Sequence, residues 1–136
     1  MTAATRCRAA GSCRPATTTA AVAYFVRPDQ DTSEVSLEKA VEVAHACGLP
    51  VIGDAAAQIY PLDYMRRNAQ TPDLACFGAK YLGAPHSAGF LCGKQDLVEA
   101  TAGHGFMAFQ HQGGRAFGRP MKLDRQEIVG VVTAVE

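Results

Sequence analysis

The chain has 136 residues, 48% of them hydrophobic, and its 13 basic and 13 acidic residues give a formal net charge of zero. This composition predicts one globular core and carries no charge signature of a nucleic-acid-binding protein. The longest convincing apolar run, residues 20–26, is too short to span a membrane and is followed directly by Arg27 and Pro28. We therefore expect a soluble domain with neither a membrane nor a nucleic acid as its partner.

The first 19 residues contain three arginines, many alanines and threonines, and no acidic residue. They loosely resemble an organelle transit peptide, and a disordered tail accounts for the same composition. We expect residues 1–19 to be a disordered tail and residues 20–136 to form the folded part. The five cysteines are odd in number and no secretory signal precedes them, so we expect reduced thiols in a cytoplasmic compartment.

The first half of the folded part predicts a β-α-β unit. Residues 20–26 are apolar and rich in strand formers, which indicates a buried strand. Ser36 then supplies an N-cap, and apolar residues recur at helical spacing until Gly48 and Pro50. Residues 50–54 form the next strand, which we expect to run parallel to the first. Asp54 therefore ends a strand at the edge where open α/β sheets bind ligands.

The second half predicts further alternating elements. Residues 62–68 indicate a short helix, residues 73–77 and 87–92 two more strands, and residues 95–102 another helix. Lys80 lies between the last two strands, and the glycine-rich residues 103–118 indicate a mobile loop. Asp124 and Glu127 form a capping-box pattern before a final helix. The predicted fold class is α/β, with a mostly parallel sheet flanked by helices.

Lys80 and Asp54 are the candidate catalytic pair. Small residues flank Lys80 and apolar strands lie on both sides, so we expect a buried amine that must pair or lose its proton. Such an amine forms a Schiff base with pyridoxal phosphate, and a carboxylate at the neighbouring strand end holds the ring nitrogen protonated. Residues 55–57, all alanine, let a flat ring approach the backbone. The alternative for Lys80 is a solvated surface lysine, and the alternative for Asp54 is a strand-end acid that caps the next segment.

Three segments together resemble the fold-type I pyridoxal-phosphate enzymes, in the group similar to selenocysteine synthase and to D-glucosaminate-6-phosphate ammonia-lyase. They are residues 49–58 (LPVIGDAAAQ), 77–89 (FGAKYLGAPHSAG) and 118–122 (GRPMK).

The resemblance implies that Lys80 forms the Schiff base, Asp54 contacts the pyridine nitrogen and Ala56 lies under one ring face. It also places Gln58 near the ring hydroxyl, one position later than the equivalent glutamine of the class V aminotransferases. No metal site is expected, because the histidines lack ligand partners at diagnostic spacing.

The resemblance also implies contacts across a subunit interface. In that family the segment after the lysine often reaches the cofactor phosphate of a neighbouring subunit, which gives Gly83, His86 and Ser87 a cofactor role in a homodimer or higher homo-oligomer. Arg119 is a candidate for binding a substrate carboxylate or phosphate through its planar fork. The alternative for His86 is a loop histidine without a ligand. The alternative for Arg119 is an arginine that caps the preceding loop.

The implied function is a pyridoxal-phosphate-dependent lyase or transferase that acts on an amino acid or amino-sugar acid. A class V-type aminotransferase is the enzymatic alternative. We see no evident phosphate loop, stacked aromatic ring or small domain of that family in the sequence. We therefore expect the chain to form part of the large, cofactor-binding domain. A noncatalytic fragment acting as an interaction module is therefore a further alternative. A Rossmann site is disfavoured, because no Gly-x-Gly-x-x-Gly turn follows the first strand.

Overall fold

The structure is a computed structural model that describes residues 20–27, 35–110, 117–118 and 120–136. This described part holds four strands and four α-helices. In chain order they are β1 (Val22–Phe25), α1 (Leu37–Ala46), β2 (Val51–Asp54), α2 (Leu62–Gln70), β3 (Leu74–Gly78), β4 (Gly89–Gly93), α3 (Gln95–Ala102) and α4 (Arg125–Val135). Two 3₁₀ helices, Ala79–Leu82 and Phe106–Gln110, follow β3 and α3.

The strands form one sheet in the order β1-β2-β3-β4. The first three strands run parallel, and β4 runs antiparallel to β3. The predicted α/β class with a mostly parallel sheet is therefore confirmed. Apolar side chains from the strands, from α1 and from the loop after β2 form the buried core. Its members are Val26, Leu37, Ala55, Ile59, Ala75 and Phe77.

Both predicted helix starts are confirmed by hydrogen bonds. The Ser36 side chain accepts from the Lys39 N–H at 3.2 Å, which caps α1. In α4 the Asp124 carboxylate accepts from the Glu127 N–H at 2.7 Å, and the Glu127 carboxylate accepts from the Asp124 N–H at 3.0 Å. Local hydrogen bonds of this kind involve residues three apart, so the sequence alone reveals them.

Residues 103–118, expected to be a mobile loop, contain a short helix where the structure describes them. Phe106–Gln110 forms a 3₁₀ helix, and Ala108 within it is buried. The glycine content of the segment concealed this short helical stretch. Residues 111–116 lie outside the described residues.

The cysteines do not all carry free thiols. Cys76 and Cys92 are free, as expected, and both are half-buried. Cys47 is disulfide-bonded, so the expectation of reduced thiols is wrong at that position. Cys7 and Cys13 lie outside the described residues.

Asp73 joins the amino ends of β2 and β3 to α1 and to the end of β4. Its side chain is only 3% exposed, and the carboxylate accepts from the Val51 N–H at 2.6 Å. Nε2 of His45 lies 2.8 Å from Oδ2 of Asp73, and Nζ of Lys94 lies 2.6 Å from Oδ1. Burial raises the pKa of Asp73, but hydrogen bonds from Lys94, His45 and Val51 outweigh it and lower that pKa to about 2.

Removing this carboxylate is expected to destabilise the fold. We expect Asp73→Ala to lower the free energy of unfolding by about 2–4 kcal/mol, because the buried Val51 N–H loses its acceptor and the Lys94 and His45 side chains lose their partner. Asp63→Ala is the matched control: this carboxylate is 92% exposed and pairs with Arg66 on the surface, so its loss should cost less than about 1 kcal/mol. Urea unfolding followed by circular dichroism measures both, and equal effects would contradict the role of Asp73.

The same carboxylate makes stability depend on pH in the acid range. The folded-state pKa of Asp73, about 2, lies below its ordinary value of 3.8. The stability that the ionised carboxylate adds to the fold is therefore complete above pH 3.8 and is lost as the pH falls towards the folded-state pKa. The unfolding free energy of the natural chain should therefore fall more steeply over this window than that of Asp73→Ala. Parallel curves for the two proteins in acid titrations would contradict this assignment.

Candidate active site

The carboxyl ends of β2 and β3 lie at the same edge of the sheet. Asp54, the last residue of β2, is the register partner of Cys76 in β3. Strand β3 ends two residues later at Gly78, and Lys80 follows in the 3₁₀ helix before β4. The structure therefore brings Asp54 and Lys80 to the same edge of the sheet, with Asp54 at the end of β2 and Lys80 two residues beyond the end of β3.

The loop after β2 is locked against the end of β3 through its backbone. The Ala55 N–H donates to the Cys76 carbonyl at 3.1 Å, and the Gly78 N–H donates to the Ala56 carbonyl at 2.8 Å. A Cβ on Gly78 would lie only 2.8 Å from that Ala56 oxygen, so the close approach requires glycine. Ala55 is fully buried, whereas Ala56 is exposed. Gln58 is half-buried, and its N–H donates to the Ala55 carbonyl at 2.8 Å.

The Asp54 carboxylate is half-buried and is held by one of its two oxygens. Its Oδ1 accepts from the Ala56 N–H at 3.2 Å and lies 3.7 Å from Sγ of Cys76. The first contact is an Asx-type turn, so the capping role weighed for Asp54 is present. Burial raises the pKa of the Cys76 thiol, and the negative charge of Asp54 raises it further. Sequence reasoning missed Cys76, because only the strand register places it beside Asp54.

Lys80 is exposed, and the expectation of a buried amine is wrong in this chain. Its neighbour Ala79 occupies the buried position of this turn instead, and Nζ of Lys80 lies 5.1 Å from the centroid of the Tyr81 ring. Gly83 ends the 3₁₀ helix in a left-handed conformation with φ of 91°, and its N–H donates to the Lys80 carbonyl at 3.2 Å. The observed role of Gly83 is therefore to turn the chain after the lysine.

The segment after the lysine, residues 83–87, is held by α4. The Ser87 hydroxyl donates to the Glu127 carboxylate, and this bond, with the Asp124 N–H, lowers the pKa of Glu127. A Cβ on Gly130 of α4 would lie 2.6 Å from Cδ of Pro85, so helix and segment are in close contact. A phosphate contact of Ser87 would require its bond to Glu127 to break. The sequence indicated Glu127 only as a capping residue, because nothing local links it to Ser87.

The remaining predicted site residues are not brought into contact with this edge by any described hydrogen bond. His86 is exposed, and Arg119 lies outside the described residues. Within the described ranges, no group of three or more histidine, cysteine or acidic side chains is arranged to hold a metal ion. None of the helices described here combines the length and apolar character needed to cross a membrane.

Two curated enzymes are similar to the chain in sequence, although no family model matches it. The chain is 38% identical over 103 residues to a 5′-C-glycyluridine monooxygenase-decarboxylase from a Streptomyces species, a match covering 74% of this chain and 22% of that enzyme. It is 36% identical over 103 residues to the D-glucosaminate-6-phosphate ammonia lyase of Salmonella typhimurium, covering 75% of this chain and 24% of the lyase.

A solved structure supports the same similarity. The structure of a D-glucosaminate-6-phosphate ammonia-lyase matches with a TM-score of 0.63 and 30% sequence identity, over 86% of this chain and 29% of that one. The chain therefore spans between a fifth and a third of the length of these proteins. Its α/β fold and its sequence are similar to one part of known enzymes.

The contact between α4 and the lysine segment can be tested at Gly130. We expect Gly130→Ala to lower the free energy of unfolding by about 1–3 kcal/mol, because the added methyl meets Pro85. This loss should occur although alanine favours a helix over glycine by about 1 kcal/mol. Thr133→Ala, at an exposed position of the same helix, is the control and should be neutral or slightly stabilising. Stabilisation by both changes in thermal unfolding would contradict the contact.

Proposed function

We propose that this chain supplies the cofactor lysine and the ring-nitrogen carboxylate of a pyridoxal-phosphate-dependent lyase that acts on an amino-sugar acid. The observation that carries the proposal is the placement of Asp54 and Lys80 at one edge of adjacent parallel strands. The similarity to D-glucosaminate-6-phosphate ammonia-lyase, in sequence and in fold, supports the type of reaction and the class of substrate.

The residues at this edge fit the proposed cofactor. Both described hydrogen bonds of the Asp54 carboxylate end on Oδ1, so Oδ2 has no donor among the described residues and is available to a protonated ring nitrogen. The exposed amine of Lys80 is accessible to an aldehyde from solvent. Ala56 is exposed and has only a methyl group, which leaves room for a flat ring.

Pyridoxal phosphate, when bound, supplies an electron sink for the pair left at the substrate α-carbon after proton loss. In the proposed mechanism Nζ of Lys80 would hold the cofactor. As a free amine, the same Nζ would accept the substrate α-proton. Asp54 keeps a proton on the ring nitrogen by its negative charge, which sustains the electron sink. The substrate would lose its α-proton to Lys80 and, from the β-carbon, a leaving group together with its bonding electron pair, so the reaction would be a β-elimination.

A second candidate function is decarboxylation. The observation that favours it is the 38% identity to the 5′-C-glycyluridine monooxygenase-decarboxylase. This match extends over 103 residues, the same length as the match to the lyase. The two functions can be distinguished by assaying the chain with each substrate. Release of ammonia from D-glucosaminate 6-phosphate would support the lyase, whereas release of carbon dioxide from 5′-C-glycyluridine would support the decarboxylase.

We propose also that the chain works in a homodimer or higher homo-oligomer. Strands β1 and β4 lie at the edges of the described sheet, and several large apolar side chains are exposed, which is typical of interaction surfaces. Among the described residues the most exposed are Phe25, Tyr60, Phe117 and Met121.

The self-association can be tested by ultracentrifugation. We expect the purified chain to sediment as a species larger than a monomer, because association would cover the exposed apolar side chains and edge strands. Glu42→Gln is the control and should leave the sedimentation unchanged, because Glu42 is exposed on α1 and pairs with Lys39. A stable, monodisperse monomer of the natural chain would contradict the proposal.

The cofactor lysine can be tested by visible absorption. We expect added pyridoxal phosphate to give a new absorption band with the purified chain, because the Lys80 amine forms a Schiff base with its aldehyde. The band should be absent in Lys80→Ala. Lys39→Ala is the matched control, since Lys39 is an exposed lysine on α1 whose amine pairs with Glu42, and it should keep the band. Absence of the band in the natural chain, or its survival in Lys80→Ala, would favour the noncatalytic alternative.

A further inference from the structure

We propose that Cys76 is a positioning residue that orients the Asp54 carboxylate towards the cofactor. The thiol holds Oδ1 of Asp54, so that Oδ2 is presented to a protonated ring nitrogen. This inference rests on the proposed function of Asp54, and it assigns a role to a side chain in the neighbouring strand.

The strand register brings the two side chains together. Asp54 and Cys76 are Cα partners in the parallel pair β2/β3, and Sγ of Cys76 lies 3.7 Å from Oδ1. The Gly53 carbonyl lies at the same distance from Sγ, so the thiol hydrogen has two acceptors on β2. The Ala56 N–H approaches the same Oδ1 at 3.2 Å from the following loop. Sγ of Cys76 on β3 and the Ala56 N–H in the loop therefore both lie against the same oxygen, and a thiol that donates to it would restrict rotation of the carboxylate.

The thiol is suited to this role only while it keeps its proton. A neutral thiol is a weak donor, whereas a thiolate beside Asp54 would repel it. Burial and the Asp54 charge both raise the pKa of Cys76, which keeps the donor form. The interaction is therefore mutual: the carboxylate keeps the thiol protonated, and the thiol holds the carboxylate.

Cys92 provides an internal control. It lies on β4 as the register partner of Ala75, is half-buried like Cys76, and has a pKa raised by burial alone. The two thiols lie on adjacent strands and on opposite faces of the sheet, and of the two only Cys76 has a pKa that a neighbouring carboxylate raises.

The first experiment measures thiol reactivity without cofactor. The purified natural chain and Asp54→Asn are treated with a thiol-specific disulfide reagent near neutral pH, and the modified cysteine is identified by peptide mass spectrometry. We expect Asp54→Asn to speed modification of Cys76 several-fold, because loss of the neighbouring charge increases its thiolate fraction. The rate at Cys92 should stay the same. Equal acceleration at both cysteines, or none at Cys76, would overturn the inference.

The second experiment measures cofactor affinity by titration with pyridoxal phosphate. Cys76→Ala, which removes the donor, should weaken binding several-fold, whereas Cys76→Ser, which keeps a hydroxyl donor, should bind nearly as the natural chain does. Cys92→Ala is the control for loss of a half-buried thiol and should not change the affinity. Circular dichroism of each variant separates these effects from unfolding.

The outcomes separate the two proposals. If the natural chain binds the cofactor through Lys80 and Cys76→Ala binds equally well, the role of Cys76 is overturned and the proposed function stands. If the natural chain does not bind the cofactor, the proposed function fails, and with it the cofactor role of Cys76. A thiol at position 76 that still responds to Asp54→Asn would then show only that the two side chains interact.

Discussion

The buried carboxylate of Asp73 is the interaction on which the rest of this sheet depends. It accepts the Val51 N–H from the first residue of β2 while lying directly before β3, and so it fixes how these two parallel strands align. A shift of one residue would place every side chain of a strand on the opposite face. The alignment observed sets Asp54 opposite Cys76 at the other end of the same strands.

The two ends of this strand pair differ in how their charges are satisfied. At the amino end, Asp73 is almost fully buried and contacts the backbone and two basic side chains. At the carboxyl end, Asp54 is held by one oxygen, and Lys80 is exposed beside the Tyr81 ring. A fully paired carboxylate stabilises a fold, whereas a partly paired one remains able to bind a ligand. This difference favours the carboxyl end as the site, as in other open α/β sheets.

Helix α4 shows how a distant part of the chain contributes to the site. It contacts the segment after Lys80 through the bond between Ser87 and Glu127 and through the close packing of Gly130 on Pro85. Glycine inside a helix is unfavourable by about 1 kcal/mol relative to alanine, and the proximity of Pro85 accounts for it here. Residues near the end of the chain thus support the turn that carries the lysine.

Local patterns in the sequence were enough to predict the local structure. Helix caps at Ser36 and Asp124, the strand and helix periods, and the position of Lys80 between two strands all depend on residues a few positions apart. From these and the rule for parallel sheets, the shared edge of Asp54 and Lys80 was predictable.

Tertiary contacts, in turn, set the exposure of Lys80, the contact of Cys76 with Asp54 and the bond from Ser87 to Glu127. Each depends on strand register or helix packing, which nonlocal contacts set and no local pattern encodes.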